Sequence, residues 1–313
     1  MQNYMIEAID ITKKFPGTIA NDHICLKVKA GEIMGLVGEN GAGKSTILKC
    51  LNGVYPTGSY TGKILVEGKE VFPKNPLDAM RLGIGFVPQE INVLGEMNVA
   101  ENIFLFDLRN GNQHRLVDHK ELRERTKALL EETGIDLDPM ANVKQLSVGQ
   151  QQMLMIARAL ATHPKILILD EPTTSLSGTD VVSLFRVVRT LKEKGVAIIF
   201  VTHKLAEIME LTDSLTVMRD GKNVGYYSRE EYDQAKIVED MIGRKLTYMY
   251  PPRNAVIGEE KFRVEHLSVP HPYIANRYRV EDVSFSVRSG EVVGLGGLVG
   301  AGRSETVMAI FGE

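Results

Sequence analysis

Residues 38–45 read GENGAGKS, and this stretch decides the fold. It follows a short apolar run, Ile33–Val37, which predicts a buried strand, and it precedes residues 46–51, whose apolar side chains recur at helical spacing. A glycine-rich loop between a strand and a helix lets successive backbone N–H groups point at phosphate oxygens. The pattern therefore predicts a phosphate-binding loop, in which Lys44 reaches the β and γ phosphates and the Ser45 hydroxyl ligates Mg²⁺.

The composition is that of a globular protein without a membrane span. The chain has 313 residues, of which 43% are hydrophobic, and a formal net charge of −3. Its apolar runs are far shorter than the roughly 18 residues of a transmembrane helix, and its start lacks the pattern of a secretory signal. The balanced charge offers no broad basic surface for nucleic acid. Cys25 and Cys50 lack metal-ligand spacing, so we expect reduced thiols that fill the core.

Short runs rich in Val and Ile alternate with amphipathic segments along the chain. Ile33–Val37, 166–169 and Ala197–Val201 predict central strands of a parallel sheet that helices cover. Alternating patterns within the first 75 residues predict antiparallel strands beside it. Between about Asn98 and His163 the strand signal fades, and 120–132 has helical spacing. The predicted fold class is α/β: a P-loop NTPase core of mainly parallel sheet with flanking helices, an antiparallel β subdomain and an inserted helical subdomain.

Two acidic residues follow the second of these strands. The apolar run 166–169 ends in Asp170 and Glu171, and ligands bind at the carboxyl ends of strands in open α/β sheets. We therefore expect Asp170 to complete the Mg²⁺ shell and Glu171 to polarise the attacking water. Together with the loop, these residues predict a P-loop NTPase, a class that includes kinases, GTPases and motors.

The phosphate loop occurs a second time. Residues 31–46 read GEIMGLVGENGAGKST and residues 290–305 read GEVVGLGGLVGAGRSE, with nine of sixteen positions identical. Such self-similarity indicates a duplicated domain. A Pro-, Asn- and Gly-containing stretch at 246–260 predicts a linker. We therefore predict a first domain over 1–245, with its helical subdomain at about 90–163, and the incomplete start of a second, degenerate domain over 261–313, which stops within its first helix.

A further segment narrows the class of NTPase. Residues 146–152 read LSVGQQQ and precede a helical pattern. Ser147 suits a helix N-cap and Gly149 allows close backbone approach, so the segment predicts a second anion site at a helix N-terminus. It resembles the signature sequence of ABC ATPases, and it lies, as in that family, shortly before the Asp170-Glu171 strand. The resemblance covers essentially the whole chain and implies an ATP-binding and ATP-hydrolysing subunit.

The resemblance also implies roles for individual residues. Phe15 is similar to the aromatic that stacks on adenine, Gln89 to the glutamine that touches Mg²⁺ and the attacking water, and His203 to the histidine that contacts the γ phosphate. The expected catalytic residues are Glu171, His203, Gln89 and Lys44. The expected Mg²⁺ ligands are Ser45, Gln89 and Asp170. The expected ATP contacts are Phe15, Gly38, Asn40, Gly41, Gly43, Lys44, Ser45 and Thr46, with Ser147, Gly149 and Gln150 facing the nucleotide of the opposite domain.

Within that family, two tandem ATPase domains with an arginine for the second loop lysine resemble the ATP-binding subunits of bacterial monosaccharide importers. Residues 55–62 and 264–285 are most similar to xylose-type members. The degenerate second loop comprises Gly297, Gly302, Arg303 and Ser304. The resemblance implies a peripheral location on the cytoplasmic face of the cell membrane. The implied partners are transmembrane permease subunits, which would dock on residues 91–103, a periplasmic or extracellular sugar-binding protein indirectly, and a second ABC domain of the same or another chain.

Two alternatives stay open at the level of sequence. A soluble ABC ATPase acting on nucleic acid or the ribosome would carry basic linkers or inserted arms, whereas Arg244, Lys245 and Arg253 are sparse. A nucleotide-sensing scaffold would bind ATP only as a structural ligand. Glu171 and His203 argue against the scaffold for the first domain, whereas the second domain, with Arg303, fits it better.

Overall fold

The chain forms two compact units, Met1–Lys245 and Leu246–Glu313. The computed structural model describes residues 4–105, 118–244, 255–271, 274, 277–297 and 300–312. The predicted linker, 246–260, lies outside the described residues up to position 254, and a strand begins at Glu260.

Four strands of the first unit form an antiparallel sheet in the order β2-β1-β4-β5. Their bounds are β1 Tyr4–Phe15, β2 Thr18–Lys29, β4 Thr61–Val66 and β5 Lys69–Val71. In β2 the side chains of Ile24 and Leu26 are buried, and Cys25 between them is exposed. The expectation that Cys25 fills the core is therefore wrong, because successive side chains of a strand point to opposite faces. Cys50 is buried, as expected.

A six-stranded sheet in the order β10-β9-β3-β8-β7-β6 forms the centre of the first unit. The five strands from β9 to β6 run parallel, and β10 is antiparallel to β9. The three central strands are buried at every residue, as a sheet covered on both faces requires. The strand bounds are β3 Ile33–Val37, β6 Ile84–Val87, β7 Ile166–Asp170, β8 Ala197–Val201, β9 Ser214–Arg219 and β10 Lys222–Ser228.

Helices cover this sheet and extend beyond it. Their bounds are α1 Lys44–Leu51, α2 Pro76–Arg81, α3 Val99–Ile103, α4 His119–Thr133, α5 Val148–Leu160, α6 Gly178–Glu193, α7 Leu205–Leu211 and α8 Gln234–Ile242, with 3₁₀ turns at Val143–Gln145 and Arg229–Glu231. None of the helices in the described ranges is long and apolar enough to cross a membrane.

Two apolar clusters hold the layers of the first unit together. One joins helices α3 to α6 to one face of the central sheet, for example through Leu129, Leu154 and Phe200. The other joins the opposite face to α1 and the antiparallel sheet, for example through Ile24 and Leu48. The predicted fold class is thus confirmed: a mainly parallel sheet with flanking helices, an antiparallel β subdomain and a helical subdomain inserted after β6.

The second unit contains an antiparallel pair, β11 Glu260–Pro270 and β12 Tyr278–Arg288, and a helix, α9 Arg303–Phe311. Val280 and Thr306 are buried within it. In sequence order, this strand pair and helix correspond to β1, β2 and α1 of the first unit, and the predicted start of a second, degenerate domain stays a prediction.

Candidate nucleotide site

The glycine-rich loop joins the carboxyl end of β3 to the amino end of α1. Gly43 caps α1 with a φ of 93°, a left-handed conformation that L side chains rarely adopt. A Cβ atom on Gly43 would lie 2.4 Å from the carbonyl oxygen of Ala20. The fully buried Asn21 donates from its amide nitrogen to the Gly43 carbonyl at 3.0 Å. The first residues of β2 therefore pack against the loop, a contact that the sequence did not predict.

Lys44 folds back across the loop. Its ammonium group donates to the carbonyl oxygens of Gly38 at 2.7 Å and Glu39 at 3.0 Å, and the side chain is buried. Burial lowers the pKa of Lys44, and the carboxylates of Glu171 and Asp170 act in the opposite direction. The charged end of the lysine is thus fixed by two carbonyl oxygens of the loop, and it is attracted by the two carboxylates.

Asp170 ends strand β7 and is 92% buried, with a relative exposure of 8%. Burial, followed by the neighbouring Glu171 charge, raises the pKa of Asp170 to about 6, against the attraction of Lys44 and Lys49. Glu171 itself has a φ of 46°, which is uncommon outside glycine. Its backbone N–H donates to the Val201 carbonyl at 3.1 Å, which fixes the turn after β7 to the end of β8.

The Glu171 carboxylate contacts side chains from three loops. Its Oε2 atom accepts from Gln89 Nε2 at 3.2 Å and from Thr174 Oγ1 at 3.3 Å, and it lies 3.4 Å from His203 Nδ1. Gln89 follows β6, Thr174 follows β7 and His203 follows β8, which are neighbouring parallel strands. The carboxylate is mostly buried, whereas half of the His203 side chain is exposed. The arrangement can accept a proton from water and offer an imidazole beside it.

These groups face a cavity of about 810 Å³. It brings together the predicted residues Asn40, Gly41, Gly43, Lys44, Ser45, Thr46, Gln89, Glu171 and His203. Sequence reasoning missed the remaining lining residues, Thr18, Ile19, Ala20, Ala42, Thr174, Asp220 and Gly221. The predicted residues outside this lining are Phe15, Gly38, Asp170, Ser147, Gly149 and Gln150. The first residues of β2 and the turn between β9 and β10 therefore contribute to the lining of the cavity.

Phe15 ends β1 and lies beside a second aromatic side chain. Its ring meets that of Tyr55 edge-on, with 5.5 Å between ring centroids, and Lys13 Nζ lies 5.1 Å from the Phe15 centroid. About a third of Phe15 is exposed. The aromatic pair stands at the end of the strand that leads into the cavity wall at Thr18.

The signature-like segment forms the amino end of α5. Ser147 Oγ accepts from the Gln150 N–H at 3.2 Å, and the Gln150 side chain accepts from the Ser147 N–H at 3.0 Å, which is a capping box. Gly149 lies against Asp180 of α6, since an added Cβ would be 2.4 Å from the Asp180 Cγ atom. This helix end does not line the cavity of its own domain.

In the second unit, Gly297 and Gly302 have nearly the same φ angles as the matching glycines of the phosphate loop. Gly297 and Gly302 have φ values of 158° and 81°, against 156° and 93° at Gly38 and Gly43. A Cβ on Gly302 would lie 2.7 Å from the Arg279 carbonyl, just as one on Gly43 would meet a carbonyl of the preceding strand region. Arg303 begins helix α9 where the first unit has its lysine, and Ser304 follows it.

Comparison with known proteins indicates the family of the chain. Residues 21–174 match the family described as ABC transporter. The chain is 44% identical to the xylose import ATP-binding protein XylG of Geobacillus kaustophilus, covering 100% of this chain and 61% of the relative. It is 42% identical to the L-arabinose transport ATP-binding protein AraG of Geobacillus stearothermophilus, again covering 100% of this chain and 61% of the relative. The chain thus spans about six tenths of the length of these relatives.

Solved structures give the same answer for the fold. An ATP-binding cassette of an ABC transporter in its ADP conformation superposes with a TM-score of 0.67 at 26% identity, covering 77% of this chain and 99% of the other. A dimeric bacterial ABC transporter cassette gives 0.62 at 25% identity, covering 73% and 100%. The chain belongs to the ABC transporter family of ATP-binding proteins, as its phosphate loop, the capped α5 segment, the fold and these relatives together indicate.

Proposed function

We propose that the first unit binds and hydrolyses ATP, and that hydrolysis energises import of a monosaccharide, xylose or another pentose or hexose. One observation carries the catalytic part of this proposal. A single cavity is lined by the phosphate loop with Lys44, by the Glu171 carboxylate and by His203. Phosphoryl transfer to water requires these three functions: a cradle for phosphates, a group that orients the water, and a contact to the transferred phosphate.

Each residue has a distinct role in the proposed reaction. The loop amides and Lys44 hold the β and γ phosphates, with the lysine already placed by two carbonyl oxygens. Glu171 orients the water and takes its proton as the oxygen attacks the γ phosphorus and ADP leaves. His203, 3.4 Å from Glu171, would contact the γ phosphate from the other side. Gln89 fixes the carboxylate by donating its amide hydrogen to Oε2, the oxygen that also lies beside His203.

The oxygen donors near the loop suit Mg²⁺. Within the described ranges no group of three or more His, Cys, Asp or Glu is placed to hold a metal, but Mg²⁺ at nucleotide sites takes few protein ligands and relies on phosphates and water. Ser45 lies in the first turn of α1, and Gln89 turns its amide nitrogen to Glu171, so its oxygen is the atom offered to a metal. Bound Mg²⁺ would neutralise charge on the β and γ phosphates, and Asp170 would hold it from behind.

A second ABC domain is the proposed partner for hydrolysis. The amino end of α5, with Ser147, Gly149 and Gln150, does not line its own cavity, and a related bacterial cassette is dimeric. We propose that this helix end faces the nucleotide held by the opposite domain. Arg303 keeps a positive charge in the second loop, but its planar guanidinium differs from a compact ammonium, so we expect nucleotide binding with little hydrolysis there.

Membrane subunits are the other proposed partners. A mostly apolar cavity of about 360 Å³ lies between the central sheet and the helical subdomain, lined by residues such as Pro76, Phe86, Phe104 and Met155. We propose that a transmembrane permease docks here and along residues 91–103, which places the protein at the cytoplasmic face of the membrane. A sugar-binding protein outside the cell would act through the permease. The functions of the two relatives, xylose import and L-arabinose transport, favour sugar import over an ATPase acting on nucleic acid.

The test of the catalytic proposal is Glu171→Gln. Because the amide cannot accept a proton, we expect ATP turnover to fall by about a hundredfold or more while ATP affinity stays within about twofold. The matched control is Glu193→Gln at the exposed end of α6, which should leave both quantities unchanged. Turnover and ATP binding are measured on the same preparations. Retained turnover in Glu171→Gln would assign the base to another residue.

The sugar is tested separately in reconstituted vesicles. With permease and binding protein present, we expect xylose to stimulate ATP turnover, and arabinose and galactose serve as the comparison sugars. Stimulation by none of the three would contradict the import proposal while leaving the ATPase assignment intact.

A further inference from the structure

Glu207 is a buried carboxylate outside the cavity and near its centre. It lies in the first turn of α7, and only 7% of the residue is exposed. An ionised side chain in such a place is stable only when hydrogen-bond donors or cations surround it. The role proposed above for the cavity residues makes no use of it.

The donors around Glu207 come from two different loops. Its Oε2 atom accepts from Thr173 Oγ1 at 2.9 Å and from Thr202 Oγ1 at 2.7 Å. Both threonines are about 1% exposed. Thr173 stands two residues after Glu171, and Thr202 stands one residue before His203. One carboxylate oxygen therefore ties the loop that carries the Glu171 base to the loop that carries His203.

Lys204 closes the cluster. Its ammonium group lies 3.2 Å from Glu207 Oε1 and donates to the Thr173 carbonyl at 3.0 Å. The Lys204 backbone N–H donates to Thr202 Oγ1 at 3.0 Å. Each of these bonds either joins the loop after β7 to the segment after β8 or fixes the segment after β8. The two loops therefore cannot separate without breaking several bonds to buried groups.

The strained turn at Glu171 explains why such a tie matters. A glutamate with a φ of 46° keeps that conformation only when its surroundings fix it. The 3.4 Å separation of Glu171 Oε2 and His203 Nδ1 depends on both loops, and catalysis is sensitive to displacements of about 1 Å.

We propose that Glu207 is a positioning residue for hydrolysis, which holds the Glu171 loop and the His203 loop in register through Thr173 and Thr202. This inference rests on the proposed ATPase function. In Glu207→Gln the amide keeps the size of the side chain, but it turns an N–H group toward either the threonine hydroxyls or the Lys204 ammonium. The loops should then separate without loss of the phosphate loop, which Glu207 does not touch.

The first experiment separates positioning from general stability. We expect Glu207→Gln to lower kcat for ATP by roughly tenfold to a hundredfold while the Kd for ATP changes less than about twofold. The matched control is Glu32→Gln. Glu32 is a half-buried carboxylate that accepts from the Lys29 N–H and the Ser214 hydroxyl just before β3, at the opposite end of the strand from the cavity. Equal loss of kcat in both variants, in proportion to lowered Tm, would overturn the proposal.

Rescue at the threonine gives an independent check. Thr202→Ser keeps the hydroxyl and should keep turnover, whereas Thr202→Val should lower kcat as Glu207→Gln does. The double variant Glu207→Gln with Thr202→Val should be no slower than either single variant, because both break the same bond. Additive losses would contradict a shared role.

A second readout does not depend on turnover. In the full chain labelled at histidine, the imidazole NMR signals of His203 are assigned by comparison with His203→Gln. We expect these signals to move in both Glu207→Gln and Glu171→Gln and to stay in place in Glu32→Gln. An unchanged His203 signal in Glu207→Gln would overturn the positioning role. If the wild-type chain does not hydrolyse ATP, the proposed function fails, and the His203 signals still decide the role of Glu207.

Discussion

At the scale of single residues, the charges of Lys44, Glu171 and Asp170 influence one another. Lys44 is buried between carbonyl oxygens, and its pKa is lowered by that burial although Glu171 and Asp170 oppose the shift. Asp170 is buried beside Glu171, and its pKa is raised to about 6. A site that gathers like charges in this way is stabilised by cations, which is what a Mg²⁺ complex of a nucleotide supplies.

The raised pKa of Asp170 gives a prediction about stability and pH. The pKa of Asp170 in the folded chain, about 6, lies above the reference value of 3.8. At pH values between these two, the folded chain therefore binds more protons than the unfolded chain. The destabilising effect of ionised Asp170 is therefore absent below about pH 4 and fully present above about pH 6. We expect Asp170→Asn to raise the free energy of unfolding by about 2 kcal/mol at pH 7.5, and by much less as the pH falls toward 4.

Urea denaturation of the apoprotein at several pH values measures this effect. The control is Asp136→Asn, at an exposed position in the helical subdomain, for which we expect no pH-dependent gain. A gain for Asp170→Asn that is the same at every pH would show that hydrogen bonding of the new amide, and not removal of a buried charge, is its cause.

At the scale of elements, the loop and the amino end of α1 form one unit whose shape depends on glycine. Gly41 and Gly43 have similar φ values, 86° and 93°, but their surroundings differ. A Cβ on Gly41 meets nothing within 4 Å, whereas one on Gly43 meets the Ala20 carbonyl at 2.4 Å. We expect Gly41→Ala to cost about 1 kcal/mol from backbone strain alone, and Gly43→Ala to cost about 2 kcal/mol more because the start of β2 must move.

Thermal or urea unfolding of the two variants gives the comparison, with ATP affinity measured beside it. Each alanine variant is the control for the other, because chemistry, loop and backbone region are shared. Equal destabilisation would mean that the β2 backbone at Ala20 moves freely, and that the part of the cavity lining it forms is not fixed.

The elements also show which parts of the structure the sequence could predict. The strands β3 and β8 begin and end where the apolar runs do, and β7 extends one residue further, to Asp170. A strand that is buried on both faces has a continuous apolar run in the sequence. The cavity lining at Thr18 to Ala20, the start of β2, and at Asp220 and Gly221 has no such pattern in the sequence, because these residues become part of the site only through long-range packing.

Sequence analysis missed two other features, for different reasons. Glu207 meets Thr173 across 34 positions, and no local spacing indicates such a pair. Cys25 sits between two buried residues of an alternating strand, and its apolar character suggested the wrong face. Chemistry that lies within one loop can be predicted from its spacing, whereas chemistry assembled from several loops requires the topology.

At the scale of the whole molecule, the phosphate loop and the capped end of α5 belong to one domain but do not share a cavity. Under the proposed function, a complete site needs the loop of one domain and the α5 end of another. Two copies of this chain can supply both if their first units pair about a twofold axis, since each site then takes one part from each copy.

This arrangement predicts complementation between two inactive variants. Lys44→Ala removes the phosphate contact, and Ser147→Arg blocks the end of α5, so each variant alone should lack turnover. In an equal mixture, about half of the pairs combine one copy of each, and each such pair holds one site with an intact Lys44 and an intact Ser147. We expect turnover of about a quarter of the wild-type value at the same total concentration, increasing more than linearly with concentration where pairing is weak.

The control is the double variant mixed with wild-type chain. Its mixed pairs contain no site with both residues intact, because one site lacks Lys44 and the other lacks Ser147. Only wild-type pairs, about a quarter of the total, then contribute to turnover. No turnover in the mixture of single variants, with full activity in the wild type, would contradict the shared site and assign the whole reaction to one chain.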